Sequence, residues 1–249
     1  MAKRPSTTLP KYQRPRHRRR HRGFFRKLLG FLVKLVVGLI LLSILWVVAY
    51  RFINPPITAT MIGDIAAGRG ATRDWMDLDT MDRDMVRAAI GAEDSKFCAH
   101  SGFDFDAIQD AVKRNASGGR IRGGSTISQQ TAKNAFLWQG GGYARKGAEA
   151  WFTFLIEQIW GKRRIMEVYL NSIEWAPGVY GAQAAAQRWF KTDAANLSPS
   201  QAARMAAILP KPLAWKAAKP GPYVKRRSGS VARNARVVRQ EGLSACVFR

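Results

Sequence analysis

Acidic residues are scarce in this chain and late to arrive. None precedes Asp64, and over all 249 residues 17 Asp and Glu face 41 Lys and Arg, a formal charge of +24. That imbalance excludes a surface whose charges neutralise one another and implies a partner rich in negative charge: nucleic acid, anionic lipid headgroups or a phosphorylated substrate. Cysteine is nearly missing. Cys98 and Cys246 are too few for a disulfide framework and match no zinc spacing, so each reads as a lone thiol. No internal repeat is visible, which argues against repeat architectures. Strand signals are weak as well, leaving a mainly helical chain with little sheet.

What is present is unevenly placed. Residues 11–22, KYQRPRHRRRHR, form a solvated basic arm, and residues 31–50, FLVKLVVGLILLSILWVVAY, are apolar apart from Lys34 and Ser43. A helix of that length crosses the roughly 30 Å hydrocarbon layer. Lys34 can snorkel toward the arginine-rich end, while Trp46 and Tyr50 sit where interfacial aromatics belong. A cleaved signal peptide is disfavoured, because Tyr50-Arg51-Phe52 lacks the small residues of a cleavage site. The positive-inside rule then puts the arm in the cytoplasm and the rest of the chain beyond the membrane, so the arm's charge answers to topology and anionic lipid rather than nucleic acid. The expected division is a basic cytoplasmic tail over 1–28, a transmembrane helix over 29–51, one domain over 52–215 and a basic segment over 216–249.

Apolar periodicity and capping residues predict helices over 78–92, from a cap at Asp104 to about 116, from a cap at Ser125 to about 136, over 143–160, over 162–170, and through Leu209 after the capping box Ser198-Pro199-Ser200-Gln201. After Lys216 one more helix and a loose tail are expected.

Several segments could carry chemistry. Glu93 and Asp94 end an apolar helix and are followed by Phe97, His100 and Gly102. A solvated acidic pair is the plain interpretation, and a carboxylate of raised pKa that takes a proton from a sugar hydroxyl is the functional one. His100 by itself reads as a hydrogen-bonded structural residue. Gly123-Gly124-Ser125-Thr126-Ile127-Ser128-Gln129-Gln130 opens a helix whose free N–H groups could meet an anion, and Lys133 shares a face with Gln129. Arg145 and Glu149 stand at i and i+4, spacing that also suits a surface ion pair.

Taken together these segments resemble a family. E-D-x-x-F-x-x-H-x-G at Glu93, G-G-S-T-I-S-Q-Q-x-x-K-N at Gly123, R-K-x-x-E at Arg145, K-x-x-I-M-E-x-Y-L-N at Lys162 and a glycine-tyrosine block at Gly178 follow the order and spacing of peptidoglycan glycosyltransferases. The resemblance covers roughly residues 60 to 215. The stretch from Asn171 to Gly181 looks like the monofunctional branch, with Ser128 where Thr is usual and Ala176 where Gly is usual.

The resemblance implies a lysozyme-like α-helical lobe with a smaller membrane-facing lobe, whose apolar surface is expected to draw on Phe97, Phe103, Phe136, Leu137 and Trp138 unless these are core. It implies that Glu93 is the general base in the joining of lipid II to a growing glycan strand, with inversion at C1 and release of undecaprenyl pyrophosphate. Ser125, Thr126, Gln129, Gln130, Lys133, Asn134, Arg145, Lys146 and Lys162 are the implied substrate and pyrophosphate contacts. Glu149 is the second essential carboxylate, organising these cations or a divalent metal, magnesium or manganese; no metal ligand set is assigned. Implied partners are lipid II, the strand, the membrane and cell-wall synthesis or division proteins, with no nucleic acid. The implied location is the cytoplasmic (inner) membrane, single-pass, with the catalytic domain periplasmic.

Two rival readings are weaker. A glycan hydrolase has no pyrophosphate to neutralise and no use for Lys133, Arg145 and Lys162. A scaffold or nucleic-acid binder gives no reason for Glu93, Gln129, Lys133 and Glu149 to stand in register. No plausible S-x-x-K, S-x-N and K-T-G set is found, so strands would be made without being cross-linked.

Overall fold

The computed structural model describes residues 18–116 and 124–248. Most of the basic arm and Gly123 lie outside the described residues. The chain is mostly helical, as the weak strand signals predict, and falls into two compact units, residues 1–45 and 46–249. The first is the larger part of α1 (Arg18–Phe52), within which Gly23–Phe52 is long and apolar enough to cross a membrane, with a mean hydropathy of 2.8. Its side chains are almost all exposed, which suits a helix solvated by lipid and not one buried in a protein core.

The second unit begins at Trp46, inside α1. It continues through α2 (Ala59–Ala66), β1 (Thr72–Arg73), α3 (Arg83–Glu93), α4 (Phe105–Ala116), α5 (Ile127–Phe136), α6 (Gly142–Ile159) and α7 (Gly161–Ser172). There follow β2 (Glu174–Ala176), β3 (Val179–Tyr180), α8 (Ala182–Phe190), a 3₁₀ turn at Ala194–Asn196, α9 (Pro199–Ile208), α10 (Pro222–Gln240) and α11 (Ala245–Phe248).

Local chemistry explains where these helices start. The expected helix over 78–92 begins later, at Arg83, because Asp82 is its cap and accepts from the Asp84 N–H. Asp104 caps α4 through the Ala107 N–H. Thr126, not Ser125, caps α5, in a reciprocal box with Gln129. The Ser198–Gln201 box with Pro199 at the first position opens α9 as expected.

The core is made where α3 lies against α9 and α10 and where α5 lies against α6 and α7. Met85, Val86, Ile90, Ile127, Ile165, Met166, Tyr169 and Leu170 are fully buried there. α10 attaches through a narrow stripe, Val224, Val231 and Val238, each at most 3% exposed and seven residues apart. Gly91 allows that approach: a Cβ there would stand 3.0 Å from the Ala235 nitrogen, and the Asn234 amide donates to the Gly91 carbonyl at 2.9 Å.

The small sheet has the order β1-β3-β2, with β1 parallel and β2 antiparallel to β3. Its turn requires Gly178, whose φ is +68° and whose Cβ would lie 2.7 Å from the Arg69 carbonyl oxygen.

Two expectations about cysteine and the tail are corrected. Cys98 and Cys246 are not lone thiols but form a disulfide, their Cα atoms 5.6 Å apart across a sequence separation of 148. The tail is not loose either: α11 folds back beside α7, burying Val247 and placing the Phe248 ring under the guanidinium of Arg83. No local spacing rule could connect two cysteines that only this return brings together.

The predicted apolar surface is also revised. Phe97, Phe136 and Leu137 are buried in the core and Phe103 is half-buried, leaving Trp138 exposed. Phe136 is covered by Trp46 and Tyr50, ring centroids 5.4 and 5.5 Å away, so those two aromatics line the domain rather than only marking a membrane interface.

Candidate active site

The end of α3 and the start of α5 are tied together, and the tie separates the roles of two adjacent carboxylates. Asp94 is buried and receives the Ile127 N–H at 3.0 Å, while the Nε2 of His100 lies 3.0 and 3.1 Å from its two oxygens. His100 Nδ1 in turn accepts from the Gly102 N–H, and the Thr126 hydroxyl donates to the Gly102 carbonyl. Asp94 and His100 are thus structural, and the pair is not a solvated helix end. The Ile127 and Gln129 N–H groups are spent on Asp94 and on the Thr126 hydroxyl. These two groups at the start of α5 are therefore satisfied within the protein, as in a plain capped helix, the alternative this stretch also allows.

Glu93 is the more open of the two carboxylates, with 15% of its side chain exposed. Gln130 Nε2 donates to Oε2 at 3.1 Å and Arg227 approaches Oε1 at 3.3 Å. Burial nevertheless pushes its pKa above the ordinary glutamate value, with a smaller contribution from neighbouring Asp94, against the opposing pull of Gln130 and Arg227. Fully buried Tyr169 lies close enough for Glu93 and Asp94 to reinforce the effect of burial, so its hydroxyl stays protonated well above the usual range. That hydroxyl has no hydrogen-bond partner among the described residues.

A second cluster spans α5 and α6. Glu149 is 3% exposed, far from the surface ion pair that its spacing would suit. Arg145 Nη1 donates to one of its oxygens at 2.6 Å and Lys146 to the other. Arg145 also donates to the Gly140 carbonyl, and Lys146 reaches the Ser125 hydroxyl at 3.5 Å. Lys133 completes the group. Burial lowers its pKa, Glu149 opposes that, and Arg145 and Lys146 add to it. It forms no ion pair with any described residue. Three cations thus face one carboxylate, an arrangement that favours an added anion.

Both Glu149 oxygens are occupied by cations, and no three His, Cys, Asp or Glu side chains among the described residues converge to hold a metal. The residues present fit a cation-lined anion site better than a metal centre.

Some expected members stand elsewhere. Thr126 and Gln129 are committed to the α5 cap, and Asn134 is buried on the same helix. Lys162 pairs with Glu157 at 2.7 Å and sits 4.6 Å from the centre of the Phe97 ring, while Ser128 donates to the same Glu157 oxygen at 2.5 Å. Ser128 therefore keeps the hydroxyl that the usual Thr would supply. Glu157 and Arg227 were not foreseen. For Arg227 a signal existed: Arg227 and Asn234 repeat at seven residues beside the Val224-Val231-Val238 stripe, as residues facing α3 must.

The family model described as transglycosylase matches residues 59–236. The biosynthetic peptidoglycan transglycosylase of Caulobacter vibrioides is 53% identical over 225 residues, 90% of this chain and 98% of the relative. Its namesakes in Rhodospirillum centenum and Pseudomonas aeruginosa are 46% and 48% identical, spanning 89% and 83% of this chain and 96% and 90% of theirs. Matches of this extent leave one assignment: the chain belongs to the peptidoglycan transglycosylase family and is a peptidoglycan glycosyltransferase.

Proposed function

We propose that the enzyme polymerises lipid II into β-1,4-linked glycan strands, with inversion at C1 and release of undecaprenyl pyrophosphate. Glu93 takes the proton of the acceptor's 4-hydroxyl as that oxygen attacks C1 of the lipid-linked donor. Burial suits it to the task, because a carboxylate of raised pKa is the stronger base. Lys133, Arg145 and Lys146 stabilise the pyrophosphate as the glycosidic bond breaks, held in place by Glu149. The observation that carries this reading is the net positive cluster on α5 and α6, which a glycan hydrolase has no use for. Lys162, engaged with Glu157, ties α7 to α6 instead.

The domain over 52–215 is placed outside the cytoplasm, with the tail over 1–28 inside and the anchor over 29–51 between them. Two observations support that orientation: the arginine run precedes the anchor, and the Cys98–Cys246 bond suits an oxidising compartment. Phe105, Val112, Trp138, Tyr143 and Phe154 are exposed apolar side chains suited to a lipid-bound substrate. Within these residues no transpeptidase motif set accompanies the site.

Incubation with labelled lipid II tests the proposal. The wild-type chain should yield polymer, and Glu93→Gln should yield none while folding normally. Release of muropeptide fragments from preformed strands would favour the hydrolase, and wild-type polymerisation by Glu93→Gln would remove Glu93 as the base.

A further inference from the structure

Away from this centre, the end of α8, the β2–β3 turn and the segment after α9 enclose a cleft of about 340 Å³. None of the residues discussed above as substrate or pyrophosphate contacts lines it. Its principal walls are two indoles, Trp189 and Trp215, both partly exposed. Each is fixed in advance. Trp189 Nε1 donates to the Trp175 carbonyl at 3.3 Å, and the Trp215 ring lies 5.1 Å from that of Tyr223. Rings already held in place lose little freedom when a ligand lies against them. Leu213, 60% exposed, extends the apolar lining.

The charge around these rings has one sign. Arg188, Lys216 and Lys219 line the cleft, all exposed, and no Asp or Glu does. None of the three forms an ion pair with a described residue. A matching ligand must offer flat apolar faces to two indoles and negative charge to three cations. Pyranose rings present such C–H faces, and a glycan whose alternate sugars bear carboxylate-containing substituents supplies the charge as well.

We propose that this cleft binds the uncross-linked glycan strand itself, as a site separate from the Glu93 centre. The proposal rests on the polymerase function argued above, since it is that reaction that produces such a strand.

The test is a calorimetric titration of the full chain in detergent with a soluble tetrasaccharide of alternating N-acetylglucosamine and N-acetylmuramic acid carrying stem peptides. Chitotetraose and the free stem peptide serve as comparison ligands. Trp215→Ala should weaken tetrasaccharide binding about tenfold or more, as loss of a central aromatic contact does. The double exchange Lys216→Glu and Lys219→Glu, confined to exposed side chains, should weaken it several-fold and flatten its salt dependence, leaving chitotetraose binding unchanged. Tetrasaccharide affinities equal to wild type in both variants overturn the proposal. So does equal affinity of the wild type for the free peptide, which would make the cleft a peptide site. The titration uses no lipid II, so a chain that binds strands but fails to polymerise refutes the function and not the cleft.

Discussion

Replacing both Cys98 and Cys246 with serine isolates what the single disulfide contributes. The bonded residues are 148 apart, and closing a loop of that size removes about 17 cal/mol/K from the unfolded chain, about 5 kcal/mol at 25 °C. Measured gains usually fall below this entropic figure, so the expected loss is about 2–4 kcal/mol. The native contacts remain: Val224, Val231 and Val238 stay buried, Asn234 keeps its bond to Gly91, and Arg227 keeps its approach to Glu93. The fold should therefore survive, with most of the penalty residing in a less restrained unfolded state. For a domain of this size each kcal/mol moves the midpoint by about 2–4 °C, so Tm should fall by roughly 5–15 °C. Thermal melts in one detergent, at one scan rate, would compare wild type with and without reductant against the double-serine chain. Lipid II turnover well below both midpoints should be nearly unchanged. If the variant melts within about 2 °C of the oxidised wild type, loop closure contributes little and the reasoning fails.

The acidic limb of the pH–rate profile should report Glu93: the base must be ionised, so activity is present above its raised pKa and is lost as pH falls through it. Arg227→Gln removes a cation that lowers that pKa, so the limb should move to higher pH; an unmoved limb would show that Arg227 does not act on Glu93. Lys133→Ala and Arg145→Ala should each reduce kcat on the order of one hundredfold with a smaller change in KM, typical of losing one preorganised transition-state contact. Full turnover with only a weaker KM would reduce them to substrate attraction. A reporter active only outside the cytoplasm, fused after Arg249, should be active, and activity of a cytoplasm-only reporter at the same point would reverse the orientation.

What could be read from the sequence follows the range of the forces involved. Caps and periodicity are local, so α4, α9 and the long α6 were foreseen to within a residue or two. Glu93, Lys133, Arg145 and Glu149, the residues proposed for the chemistry, were picked out by motif. Their partition was not: that Asp94 would secure α5 while Glu93 stayed available, and that Lys162 would answer Glu157, depends on which helices pack together. The disulfide and Arg227 come from α10 and α11, where no motif drew notice and the contacts span more than 130 residues. At Gln129 a capping glutamine and a ligand-binding glutamine look the same in sequence, and the structure shows the capping bond.

The beginning of the second unit inside α1 has a practical corollary. The Val47 carbonyl accepts from the Trp160 indole at 2.7 Å, and the Tyr50 and Ile53 carbonyls accept from Arg164. Trp46 and Tyr50 cover Phe136. The last two turns of the helix are therefore a wall of the enzyme and not a dispensable stalk. A truncated form cut at the apparent membrane edge would keep Glu93, Lys133, Arg145 and Glu149, yet it would expose Phe136, orphan the Trp160 indole N–H and cost Arg164 its bonds to the Tyr50 carbonyl. A water-soluble version is better obtained by repainting the lipid-facing side chains of residues 23–45 with polar ones than by cutting after Phe52.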